Sequence, residues 1–274
     1  MLGKLLRYDL RALTRILGPI HLIAIAVIIM ATLCGLTGYW LDELIVDSLD
    51  IVDIISVSMM LGVGSGVVVL ACLVPATFVV VIHRFYANLF TDQGYLTLTL
   101  PVRASEIVWA KVIAGFLWLV ASMIVVSGGS ILLAQGIGGM ADGFDFADSL
   151  PYWMMRSSFG WGHHDLPDAL IVTVGTFLTL LSALAALLMG YAGFTLGATL
   201  ARQHKVACGI ALTLGLSWVV STFSGTIDLT ATLVAPDYAL TLLLQAFHFI
   251  RDVILCAGYL CITLYCLSKR VNLR

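Results

Sequence analysis

Six apolar runs, each near or above the length that crosses a bilayer, constrain this chain more than anything else in it. They cover about 17–40, 54–82, 107–135, 169–200, 206–223 and 253–267. A helix needs about 20 apolar residues to cross the hydrocarbon core. Inside that core every backbone N–H and C=O must be satisfied within the protein, which leaves helices for runs of this kind. Hydrophobic residues make up 61% of the chain and charged ones 11%, against about 25% charged in a soluble domain. The reading is an all-α, polytopic integral membrane protein with six transmembrane helices, forming one transmembrane domain over 1–274. The sixth run is the least clean. The stretch Tyr238–Ile250 before it carries Gln245 and His248 and ends at Arg251-Asp252. It reads as an interfacial or re-entrant helix on the outer side that leads into the last span.

The two sides of the membrane separate by charge. Lys4, Arg7, Arg11, Arg15, Arg84, Arg103, Lys111, Arg202, Lys205, Lys269, Arg270 and Arg274 fall on one side, with only Arg156 and Arg251 opposite. Asp42, Glu43, Asp47, Asp50, Asp53, Asp142, Asp145, Asp148, Asp165, Asp168, Asp228, Asp237 and Asp252 fall on the other. Cytoplasmic loops concentrate Lys and Arg, so both termini are expected in the cytoplasm of a multi-pass cell-membrane protein. Residues 1–16 place Leu2, Leu6, Leu10 and Leu13 on one face, continued by Leu17, with Lys4, Arg7, Arg11 and Arg15 opposite. That pattern predicts an amphipathic helix lying in the interface, its cations toward anionic lipid head groups. The basic part is too long, and the following run long enough to span, for a cleavable signal peptide.

Reactive constellations are sparse. There is no G-x-x-x-x-G-K-[ST] phosphate loop and no H-E-x-x-H pair. Gly62, Gly64 and Gly66 sit in an apolar run without a preceding strand, so they read as helix packing rather than a dinucleotide fingerprint. His163-His164-Asp165, with Asp168 following, reads as a polar loop tip, since neighbouring histidines point apart. Hydroxyls in the spans are expected to have no nearby His or Lys to activate them. Asp53, Lys111, Arg251 and Asp252 all read as lying near span ends, which leaves mid-membrane without the ionisable groups that ion-coupled carriers use. Cys34, Cys72, Cys208, Cys256, Cys261 and Cys266 read as buried small apolar residues rather than a disulfide framework. Gly190, Gly193 and Gly197 form a small-residue face for close helix approach, either within the chain, the favoured reading, or in a dimer contact, which the spacing does not distinguish. Pro75 removes one hydrogen bond within the second span. No catalytic, cofactor or metal residue is expected, nor a nucleic-acid partner.

The most patterned polar stretch is Arg84 to Lys111, RFYANLFTDQGYLTLTLPVRASEIVWAK. It breaks at Gly94, alternates through Leu100, stops at Pro101, and re-enters an apolar run near Glu106. Wedged between spans on the basic side, it reads as a docking surface.

From Phe90 to Lys111 the stretch resembles the segment after the second span in permease subunits of bacterial ATP-binding-cassette exporters, type-2 branch. The opening LGKLLRYDLRALTRILGPIHL resembles the amphipathic connecting helix of the same proteins. The resemblance implies a cytoplasmic coupling helix carrying Phe90, Asp92, Gly94, Tyr95 and Leu96. Thr99, Leu100 and Pro101 would carry the turn into the third span, with Arg84 and Asp92 setting register by charge. Gln93 stands where an acid is common in the family, and Arg103 where a small polar cap is common, leaving Ser105 as the candidate cap and Glu106 in the first turn. It implies partners: a separately encoded ATPase holding ATP and Mg, and a second permease subunit, identical or not. An amphipathic, lipid-like, peptide or drug-like cargo would follow. The alternative is a non-transporting membrane module that senses or anchors a partner.

Overall fold

The computed structural model describes residues 2–44, 49–91, 104–138, 168–201, 203–234 and 238–269. These residues form six long helices: α1 Leu2–Leu44, α2 Leu49–Phe90, α3 Ala104–Gly138, α4 Asp168–Leu200, α5 Lys205–Val234 and α6 Tyr238–Lys269. No strand occurs among the described residues. All six helices are long and apolar enough to cross a membrane, as a multi-pass membrane protein requires.

Helix boundaries depart from the apolar runs where polar residues were read as ends. α1 runs unbroken from Leu2 through Gly18 and Pro19, so residues 1–16 and the first run belong to one helix. A proline removes one intrahelical bond, whereas a full break strands several backbone groups. α2 extends to Phe90 and takes in Arg84 and Phe90, while α3 starts at Ala104, which puts Ser105 inside the first turn rather than ahead of it. α5 continues past Phe223 to Val234, the hydroxyls of Thr226 and Thr230 each donating to a carbonyl one turn back. α6 joins the stretch 238–250 to the last run as one helix. Neither Gly nor Pro interrupts Tyr238–Ile250, so nothing favours a turn there.

The chain forms two compact units. One comprises Met1–Arg11, Phe78–Leu117 and Met155–Arg274; the other comprises Ala12–Thr77 and Trp118–Met154. In the second unit, Ile28, Ala31 and Leu133 make a buried cluster, with Val69, Leu70 and Val125 packed against it. Small residues bring these helices together. A Cβ added at Gly35 would lie 2.6 Å from the carbonyl oxygen of Gly136, and one at Gly66 would lie 2.7 Å from the Cβ of Ala31. Gly62 likewise abuts Cys34, while Gly64 faces open space. In the first unit α4 packs against both α5 and α6.

Hydroxyls within the helices mostly satisfy themselves on their own turns: Thr195 donates to Tyr191, Thr213 to Gly209 and Thr263 to Tyr259. Such back-bonding removes the cost of an unpaired polar group in an apolar setting. The cysteines are all free, but they are not uniformly buried. Cys266 is buried, Cys72 and Cys261 are exposed, and the others lie between. A membrane helix can present apolar side chains outward as well as inward, so apolar context does not by itself predict burial.

Candidate functional site

The flanks of the patterned segment are held by a cluster in the first unit. Asp9 sits on α1 between exposed Lys4, Arg7 and Arg11, and its own side chain turns inward. Lys111 of α3 donates to Asp9 Oδ1 at 3.3 Å, with the two side chains 7% and 8% exposed. The Tyr191 hydroxyl of α4 donates to the backbone carbonyl of Lys111 at 3.2 Å. The Tyr191 ring stacks on Phe85 of α2 with centroids 3.9 Å apart. Tyr86 meets Phe194 edge-on at 5.9 Å and lies against Phe90 at 5.7 Å. Four helices therefore meet around Lys111. Arg84 is near enough for its charge to act on Lys111, and its Nε is buried without a hydrogen-bond partner.

Of the residues assigned to coupling, Arg84 lies half-buried on α2 and Phe90 closes that helix. Asp92, Gly94, Tyr95, Leu96, Thr99, Leu100 and Pro101 lie outside the described residues, as does His163-His164-Asp165. The glycine face is a line of close approach on α4. A Cβ at Gly190 would collide with Ile82, one at Gly193 with Thr213, and one at Gly197 would lie 2.5 Å from the Cα of Gly209.

Two polar clusters were not legible as such. The first joins α5 to α6. Asp228 Oδ1 lies 2.9 Å from His248 Nε2; Arg251 Nε donates to Asp252 Oδ1 at 2.8 Å, and Arg251 Nη2 forms an ion pair with the same oxygen at 2.8 Å. Arg251 Nη1 also donates to the Ser224 hydroxyl. Arg251 and Asp252 thus occupy the middle of α6, within the apolar segment Leu243–Ser268, and not the start of a span. The signal was present in the spacing: Gln245, His248 and Asp252 share one helical face, and Ser224 and Asp228 are one turn apart.

The second cluster lies in the other unit. His21 Nδ1 contacts the Leu17 carbonyl at 2.8 Å, and Nε2 lies 2.8 Å from the Ser122 hydroxyl. Ser122 is 2.8 Å from the Thr77 hydroxyl, which reaches the Leu73 carbonyl at 2.9 Å. His21 also packs against the Trp118 ring at 5.2 Å. A hydroxyl in a span does, then, have a histidine beside it, brought there from another helix. Ser122 and Thr77 are fully buried, so the arrangement has no room for a substrate and serves as a structural tie.

These features fit a multi-pass helical membrane protein in which several described polar residues meet in inter-helix clusters. No family model, curated protein or solved structure matches the chain.

Proposed function

We infer that the chain is the transmembrane permease subunit of an ATP-driven exporter. Its ATPase would be a separate polypeptide, and a second permease subunit would complete the pathway. The resemblance of Phe90 to Lys111 to the coupling segment of such permeases motivates the reading. The observation that carries it is the mount on either side of that segment. Phe85 on the incoming helix and Lys111 on the outgoing one are tied to the same Tyr191, and Lys111 is tied again to Asp9. A force applied between Phe90 and Ala104 would therefore reach α1, α2, α3 and α4 with little slack.

The exposed cations Lys4, Arg7, Arg11 and Arg15 suit an interfacial position for the start of α1, with both termini cytoplasmic. In this scheme the partner binds ATP and Mg, and this chain supplies binding and motion. ATP drives the cycle only insofar as it binds one conformation of the assembly more tightly than the other. Phe90, Tyr95 and Leu96 would anchor in the partner, with Asp92 setting register. The ionisable pairs within α5 and α6 lend no support to a borrowed energy source. The resemblance and the mount do.

The test is co-purification with the ATPase encoded nearest to this chain, followed by Tyr95→Ala and Asp92→Lys. Each change should lower ATPase association or the cargo-stimulated ATPase rate. Unchanged association and unchanged rate in both variants would remove the coupling assignment. An associated ATPase that no cargo stimulates would favour a sensing or anchoring module instead.

A further inference from the structure

Among the described residues, Arg84 carries a charge without an ion-pair partner. A guanidinium stays ionised, and its planar fork seeks a bidentate oxyanion. Its Nε is buried with no hydrogen-bond partner, and the side chain makes no ion pair among the described residues. Among the described residues, the acids either pair with another cation or form no ion pair with it. Asp9 faces Lys111 at 3.3 Å. Glu106, in the first turn of α3, forms no ion pair with Arg84. The only acid on α4, Asp168, stands at the far end of that helix from Tyr191. Asp228 and Asp252 pair with His248 and Arg251. Lys111 adds a second cation nearby, already neutralised by Asp9.

Depth decides between occupants. Arg84 lies six residues before the end of α2 at Phe90, inside the apolar segment Met60–Phe90. At 1.5 Å per residue that is roughly 9 Å from the helix end. An arginine there extends its head toward the lipid phosphates and keeps its stem in the apolar layer. A soluble partner would have to enter the head-group layer to reach it. Exposed Lys4, Arg7 and Arg11 in the same unit add positive potential along α1. Basic pockets between membrane helices are the usual seats of anionic head groups.

We propose that Arg84, with the Lys111–Asp9 pair behind it, binds the phosphate of an anionic phospholipid. The phosphate oxygens accept from the outer N–H groups of this half-buried side chain. The binding rests on the multi-pass membrane architecture alone and stands whether or not the chain is a permease.

The test uses the full chain in detergent, titrated with phosphatidylglycerol or phosphatidylcholine and read by native mass spectrometry. The wild type should hold phosphatidylglycerol roughly five- to tenfold more tightly than phosphatidylcholine, the worth of about one well-placed cation. Arg84→Gln should abolish that preference, and Arg84→Lys should keep part of it. Lys4→Gln with Arg7→Gln should lower anionic-lipid binding without erasing the preference. Inorganic phosphate added to the wild type needs no variant: it should fail to displace the lipid at millimolar concentration. Displacement at that level would mean a site for a free phosphate and overturn the proposal. So would a wild type without head-group preference, or Arg84→Gln binding like the wild type. Loss of ATPase association in Arg84→Gln with lipid binding intact would also overturn it, by assigning the guanidinium to a protein carboxylate.

Discussion

Asp9 and Lys111 stand 102 residues apart in sequence and face one another at 3.3 Å, each side chain less than a tenth exposed. A buried ion pair gains little over an apolar pair of similar volume, but removing one member strands a charge. Asp9→Asn or Lys111→Met alone should destabilise the protein by about 3–5 kcal/mol. The double variant Asp9→Leu/Lys111→Met should recover most of the loss. Thermal unfolding in detergent measures both. A single variant that melts with the wild type would show that the pair contributes no net stability.

The α4–α5 contact depends on backbone approach at Gly197 and Gly209. A Cβ at Gly197 would meet the backbone of Gly209 and Cys208, which cannot rotate away. Gly197→Ala should cost about 1–3 kcal/mol by overpacking. Gly215→Ala on α5 meets nothing within 4 Å and should melt like the wild type or slightly higher. Equal melting of the two variants would contradict this packing.

The tie between α5 and α6 should respond unequally to its two acids. Asp252 is buried and holds Arg251, whereas the Asp228 side chain is 47% exposed. Asp252→Leu leaves a guanidinium without its partner and should lower the melting temperature more than Asp228→Asn. The reverse order would mean that Asp228, and not Asp252, anchors the contact.

In the other unit, Ser122→Ala removes the group between His21 and Thr77. Leaving a buried imidazole nitrogen unsatisfied should cost about 1–3 kcal/mol. The pair His21→Phe/Ser122→Ala should be less damaging than the sum of its parts, because both partners go together. Strict additivity in a double-mutant cycle would separate the two residues.

The six helices were readable from the apolar runs, but several of their ends were not. The junction at residues 16–17, Phe223 and Arg251-Asp252 read as boundaries, and the helices pass through all three. Local breakers and charges mark an end only when the freed backbone or side chain gains a better partner outside the helix. Here Ser224 and Asp228 find theirs on α6, so α5 keeps its turns. The glycine face on α4 was legible from spacing alone; what it faces was not.

Composition and the length of the apolar runs determined by themselves that the chain is helical and suited to a bilayer, because a backbone in hydrocarbon has so few ways to satisfy its own groups. The sequence also carried the charge asymmetry and the patterned segment after the second run. Tertiary structure alone decided which polar residues meet: Asp9 with Lys111, His21 with Ser122, Asp228 with His248. Those partners lie on different helices, and their pairing follows from the rotation and depth at which the helices pack, which no local pattern encodes.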